Sequence, residues 1–88
     1  MNSLAERIAV ITGGGRGIGR AVALAFAREG ADVMVLARTE DEVRRVAEEV
    51  RGECGVRASH AVCDVSDAAS VERAFALVLE RFGRAADI

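Results

Sequence analysis

Five glycines fall between positions 13 and 19 of this chain, directly after the apolar run Ile8-Ala9-Val10-Ile11-Thr12 and directly before a stretch with helical periodicity. A glycine turn between a strand and a helix is suited to holding an anion. Each glycine removes a Cβ that would keep a phosphate away from the backbone or strain the turn, and the helix that follows presents unpaired N–H groups and the positive end of its dipole. The chemistry implied is recognition of a nucleotide phosphate. Without a ligand, the same residues would form only a tight strand-to-helix connection.

The spacing narrows the choice of nucleotide. A Gly-x-Gly-x-x-Gly pattern would require a third glycine where Ile18 or Arg20 stands, whereas Gly-x-x-x-Gly-x-Gly is satisfied by Gly13, Gly17 and Gly19. A P-loop is matched only in part, from Gly14 to Gly19, because Arg20-Ala21 supplies neither the lysine that reaches the phosphates nor the hydroxyl that holds magnesium. This argues against an ATPase or GTPase.

With Thr12 ahead of the glycines, the segment resembles the Thr-Gly-x-x-x-Gly-Ile-Gly signature of the short-chain dehydrogenase/reductase family, complete from Thr12 to Gly19. The likeness extends through all 88 residues, to Phe82-Gly83-Arg84 and to Asp87-Ile88, which resemble the approach to the family's fourth strand. It covers the N-terminal third or so of the family's usual length. The resemblance implies that Gly13, Gly17, Ile18 and Gly19 surround the pyrophosphate and adenosine ribose of a nicotinamide dinucleotide, with Gly15 adding backbone freedom near the ribose. It also implies that the Thr12 hydroxyl ties the turn together, although Thr12 serves equally well as a β-branched strand end. Cys63-Asp64-Val65 is similar to the family's Asp-Val pair after the third strand, where the carboxylate accepts from the adenine amino group and the backbone of the next residue assists. Asp64 has an alternative role as a cap for the following helix, in competition with Ser66 and Asp67.

Cofactor choice should be decided at the end of the second strand. An NAD site places an acid about 20 residues beyond the glycines to accept from the ribose hydroxyls. That neighbourhood reads Leu36-Ala37-Arg38-Thr39, with Ala37 in the position of the acid and Arg38 after it. A carboxylate repels a 2′-phosphate, whereas a guanidinium makes charge-assisted, often bidentate bonds to it. Arg38 therefore points to NADP over NAD, with Arg16 inside the turn approaching the same phosphate from the other side. The plainer alternative for both arginines is a solvated surface charge.

A chain of 88 residues is one domain at most, and at 51% apolar residues it has enough to form a core. A net charge of −2 without a basic stripe excludes nucleic acid and anionic membrane as generic partners. No apolar run approaches the ~20 residues of a membrane-spanning helix, and charges interrupt the first residues where a signal peptide would be apolar, so a cytoplasmic location is expected. Cys54 and Cys63 have no metal spacing and are expected to be free thiols, Cys54 in a loop. His60 has no second histidine at ligand spacing, which favours a structural role. All 12 basic residues are arginine and there is no tyrosine, so the family's Tyr-x-x-x-Lys proton donor has no counterpart in the chain, and no catalytic or metal-ligating residue is assigned.

The elements that must position the turn follow from periodicity. Ile8 to Ile11, Val33 to Leu36 and Arg57 to Cys63 read as strands, the first two as runs buried on both faces. Ile18, Val22, Ala25 and Phe26 suggest the apolar face of a first helix ending near Gly30; Val43, Val46, Ala47 and Val50 mark a second, begun by a Thr39/Glu42 capping box and ended at Gly52. Val71, Ala74, Phe75, Val78 and Phe82 mark a third, started by Ser66 or Asp67 and ended at Gly83. Alternating strands and helices predict an α/β fold, a partial Rossmann-type doubly wound parallel sheet with β-α-β-α-β-α order and strand order 3-2-1.

Residues 1–88 are accordingly expected to be the N-terminal part of one NAD(P)-binding domain, cut before its fourth strand, with substrate binding and catalysis supplied elsewhere and inactive on its own. The first strand's open edge would invite another chain, including a second copy. The competing functions are a stand-alone nucleotide-binding or regulatory module, and a domain of another class such as a methyltransferase, which the glycine spacing and Arg38 disfavour.

Overall fold

Alternate residues of a strand point to opposite faces of its sheet, so a strand apolar at every position needs cover on both sides. The computed structural model, which describes residues 4–13 and 17–88, meets that demand with three parallel strands and three helices: β1 (Ile8–Thr12), α1 (Gly17–Arg28), β2 (Asp32–Ala37), α2 (Glu40–Cys54), β3 (Ala58–Val62) and α3 (Ala68–Phe82). The strands lie side by side as β1-β2-β3, the predicted order, with Thr12 opposite Leu36 and Ala37 opposite Val62. On one face Ala9, Ile11, Val33 and Val35 pack against α1 and α2; on the other Ile8, Met34 and Leu36 pack against Ala74, Val78 and Phe82 of α3.

The face that α1 buries differs from the expected stripe. Ala23, Leu24 and Ala27 are buried, Val22 and Phe26 sit at the margin, and Ala25 and Ile18 are exposed, Ile18 to 84%. Small alanines at positions 23 and 27 let the helix axis come close to the sheet, which outweighs the larger residues on the neighbouring stripe. Ile18 belongs to the first turn, which stands at the mouth of the glycine connection rather than over the strands. Arg20 and Arg28 face outward and reach α2, Arg20 through both carboxylate oxygens of Glu49 and Arg28 to Glu53 at 3.8 Å.

The second helix buries the predicted stripe, Val43, Val46, Ala47 and Val50, but its two ends need correction. Thr39 occupies the N-cap position without a side-chain cap bond, so the capping box does not form through its hydroxyl; Glu40, Asp41 and Glu42 place negative charge in the first turn instead. At the other end Gly52 lies inside the helix, which runs on to Cys54 and closes at Gly55, whose N–H donates to the Arg51 carbonyl at 3.2 Å. A helical glycine costs only about 1 kcal/mol, whereas the left-handed closing position selects glycine strongly. Cys54 is therefore the last helical residue, not a loop residue. In α3 the cap is Asp67, whose carboxylate accepts from the Ala69 N–H at 3.1 Å, and Phe75 of the expected stripe is 48% exposed.

Both margins of the sheet are occupied. Beyond β3, away from β2, the Arg51 guanidinium donates to the Ala58 carbonyl at 2.5 Å and the Arg81 guanidinium to the His60 carbonyl at 2.7 Å, one from each face. Arg81 also reaches the Ser59 hydroxyl, and the His60 ring pairs with Glu40 at 3.1 Å, a structural role. Beside β1, Ile88 donates to the Ile8 carbonyl at 3.1 Å and accepts from the Val10 N–H at 2.9 Å. The expectation of an uncovered first strand is thus corrected for its first half: Asp87-Ile88 already pairs there, where a fourth parallel strand would run.

Candidate functional site

The register that aligns Thr12 with Leu36 and Ala37 with Val62 brings three strand ends to one margin of the sheet, and Cys63 extends it by donating to the Ala37 carbonyl at 2.8 Å. Gly13, Arg38 and Asp64 follow directly from those ends. In parallel sheets this carboxyl margin is where ligands bind.

Gly13 and Gly17 bracket the turn with φ of +65° and +60°, a backbone region that side chains other than glycine enter only at a cost of about 1–2 kcal/mol. Among the described residues, a Cβ at either position would meet no atom within 4 Å beyond its chain neighbours. The conformation therefore favours glycine, and no described residue fills the space above the backbone at either position. Gly19 lies in the first turn of α1, Ile18 beside it is largely exposed, and Thr12 is exposed at the end of β1. Gly15 and Arg16, both assigned to the site from the sequence, lie outside the described residues.

Across the margin, Arg38 is exposed one residue beyond β2. Asp64, two residues beyond β3, is half-buried and its carboxylate is held in a turn: Oδ1 accepts from the Ser66 hydroxyl at 2.7 Å and from the Ser66 main-chain N–H at 3.0 Å. The Ser66 hydroxyl, then its N–H, hold the Asp64 carboxyl below its usual value; partial desolvation opposes this and the positive charge of Arg38 adds to it. Arg38 and Asp64 are thus electrical neighbours. Capping of α3 is left to Asp67, so the competition between these two aspartates is resolved and Asp64 is not the helix cap. Val65 follows at 61% exposure.

Two residues with a part in this arrangement were not singled out from the sequence. In the sequence Ser66 reads only as a helix start, and Ser70, whose hydroxyl accepts from the Asp64 N–H at 3.0 Å, carries no mark of its role. The Asp-x-Ser spacing of an Asx-type turn is the available signal for Ser66; Ser70 has none, because its contact depends on how α3 folds back.

The margin thus carries Gly13 and Gly17 at a helix start, the exposed guanidinium of Arg38 and the fixed carboxylate of Asp64. Such an arrangement suits the binding of a charged ligand better than it suits a reacting centre. Among the described residues no group of three or more His, Cys, Asp or Glu is placed to hold a metal, and no helix is long and apolar enough to cross a membrane.

A family model for short chain dehydrogenase matches residues 7–86. The A-factor type gamma-butyrolactone 1′-reductase (1S-forming) of Streptomyces virginiae is 46% identical over 81 residues, 92% of this chain and 31% of that protein. An alcohol dehydrogenase from the archaeon Thermococcus sibiricus, solved with 5-hydroxy-NADP, superposes with a TM-score of 0.84 at 46% identity, over 90% of this chain and 34% of its own. An NAD+-bound xylitol dehydrogenase superposes with a TM-score of 0.88 at 31% identity, over 94% of this chain and 32% of its own. The chain spans between a quarter and a third of the length of curated relatives that it matches. Because the family match runs through nearly the whole sequence, and the parallel strand order is the one expected for it, the chain belongs to the short-chain dehydrogenase/reductase family.

Proposed function

We propose that this chain is the NADP-binding portion of a cytoplasmic oxidoreductase that transfers hydride between a nicotinamide and a carbonyl or alcohol substrate. The observation that carries the reading is the convergence of the Gly13–Gly17 turn, Arg38 and Asp64 on one margin of the sheet. The bound dinucleotide supplies the hydride chemistry; this chain's residues bind and orient it. The turn and the start of α1 receive the pyrophosphate, Thr12 and Ile18 border it, Arg38 grips the 2′-phosphate with Arg16 as its second partner, and Asp64 with Val65 holds the adenine.

The choice of NADP over NAD rests on Arg38 following Ala37, where a ribose-binding acid would repel the phosphate. Charged hydrogen bonds of about 1.5–3 kcal/mol correspond to roughly 10- to 150-fold tighter binding of the phosphorylated cofactor. Without tyrosine or lysine, the chain has no Tyr-x-x-x-Lys pair, and the proton-transfer groups and substrate pocket are proposed to lie outside this span. Calorimetric titration with NADPH and NADH tests the reading. Clear preference for NADPH supports it; equal affinity overturns the role of Arg38, and absence of binding to either overturns the site.

A further inference from the structure

We propose that Ser66 is the positioning residue for adenine recognition: by donating twice to Oδ1 of Asp64, at 2.7 Å from its hydroxyl and 3.0 Å from its main chain, it reserves Oδ2 for the 6-amino group of the base. The inference rests on the reading of Asp64 as the adenine acceptor and adds to it a cause for the selectivity. Every other polar atom of Asp64 is engaged. Its N–H donates to the Ser70 hydroxyl at 3.0 Å and its carbonyl accepts from the Asp67 N–H at 3.0 Å, while among the described residues no donor reaches Oδ2. An aspartate free to turn about its last torsion offers two equivalent oxygens in many directions and loses that freedom on binding. Two donors on one oxygen remove the freedom beforehand and leave a single acceptor with a fixed direction.

A fixed, ionised acceptor discriminates between purines. It accepts from the 6-amino group of adenine and repels the 6-oxo group that hypoxanthine carries in its place. The selectivity should therefore depend on Ser66 even though Ser66 does not touch the base.

The test is the ratio of affinities for NADPH and its hypoxanthine counterpart, measured by titrating the chain and its Ser66→Ala, Ser66→Thr and Asp64→Ala variants. Wild type should favour NADPH. Ser66→Ala should lower the preference by about fivefold, the equivalent of one ordinary hydrogen bond, and Ser66→Thr, which keeps the hydroxyl, should restore it. Should Ser66→Ala not fold, Ser66→Cys, a weaker donor in the same volume, reads the same ratio. A preference lost in Asp64→Ala but unchanged in Ser66→Ala or Ser66→Cys overturns the positioning role alone. A preference absent in wild type, or unchanged in Asp64→Ala, overturns the assignment of Asp64 to adenine and the inference with it.

Discussion

Asp87 holds both main-chain polar groups of Ile8: its carboxylate accepts from the Ile8 N–H at 2.9 Å and its own N–H donates to the Ile8 carbonyl at 2.8 Å. The first residue of β1 is thereby fastened from the side on which no other element stands. Asp87→Ala should remove the side-chain bond, worth about 1–2 kcal/mol, and lower the midpoint of urea unfolding accordingly. Asp87→Asn, which keeps an acceptor, should recover most of the loss.

Cofactor preference should be exchangeable at two positions. Arg38→Ala is expected to weaken NADPH binding by about 10-fold or more while leaving NADH nearly unchanged, and adding Ala37→Asp should turn the preference toward NADH by supplying an acceptor for the ribose hydroxyls. Parallel titrations with both cofactors measure this; equal losses for the two would place Arg38 outside the phosphate site.

At Gly13 folding and binding should separate. Among the described residues the methyl group of Gly13→Ala meets no atom within 4 Å, so its cost in stability comes from the left-handed backbone conformation, about 1–2 kcal/mol. Cofactor affinity should fall much further, because the new methyl group stands in the space above the turn. Thermal unfolding and calorimetry on the same samples compare the two losses.

Acid should act through Asp64. Its carboxyl lies below the 3.8 of an unperturbed aspartate, so its contribution to stability is complete above that value and is lost as pH falls through the lower, folded value. Ser66→Ala removes the largest cause of the depression and should raise the Asp64 midpoint, followed by carboxyl NMR during acid titration. An unmoved midpoint would mean that the hydroxyl bond is not made in solution.

Much of this architecture was legible in the sequence, for identifiable reasons. Strands that are apolar throughout, such as Val33 to Leu36, have only one home in an α/β domain, and the right-handed crossover then leaves little choice of strand order. The glycine turn was legible because spacing and conformation are the same constraint at Gly13 and Gly17. What escaped depends on approach distance and on residues far apart in the chain. Ala23 and Ala27 carry little hydrophobicity, so a periodicity argument passes over them although they decide how α1 seats. Thr39 occupies the cap position without using its hydroxyl, and Gly52 stays helical because Gly55 provides a better terminus. The division of labour between Asp64 and Asp67 could not be read from composition, since either aspartate suits either task until Ser66 and Ser70 are seen to claim the first.

Arg51 and Arg81 should keep the molecule from associating through β3. Arg51→Ala with Arg81→Ala frees two carbonyls on an edge strand, and sedimentation should show concentration-dependent association absent from wild type. Monomeric behaviour of the double variant at high concentration would show that the guanidinium contacts do not guard this edge.

The two margins of the sheet also give it a direction of growth. A strand arriving at β3 would have to displace two charged side chains anchored from opposite faces, whereas at β1 Asp87-Ile88 takes only the groups of Ile8 and Val10 and the stretch toward Thr12 is left for pairing among the described residues. Whichever polypeptide widens this sheet is therefore admitted at the β1 side, next to the glycine turn. Widening the sheet would then also add to the wall beside Gly13, coupling the assembly of the fold to that of the proposed nucleotide site.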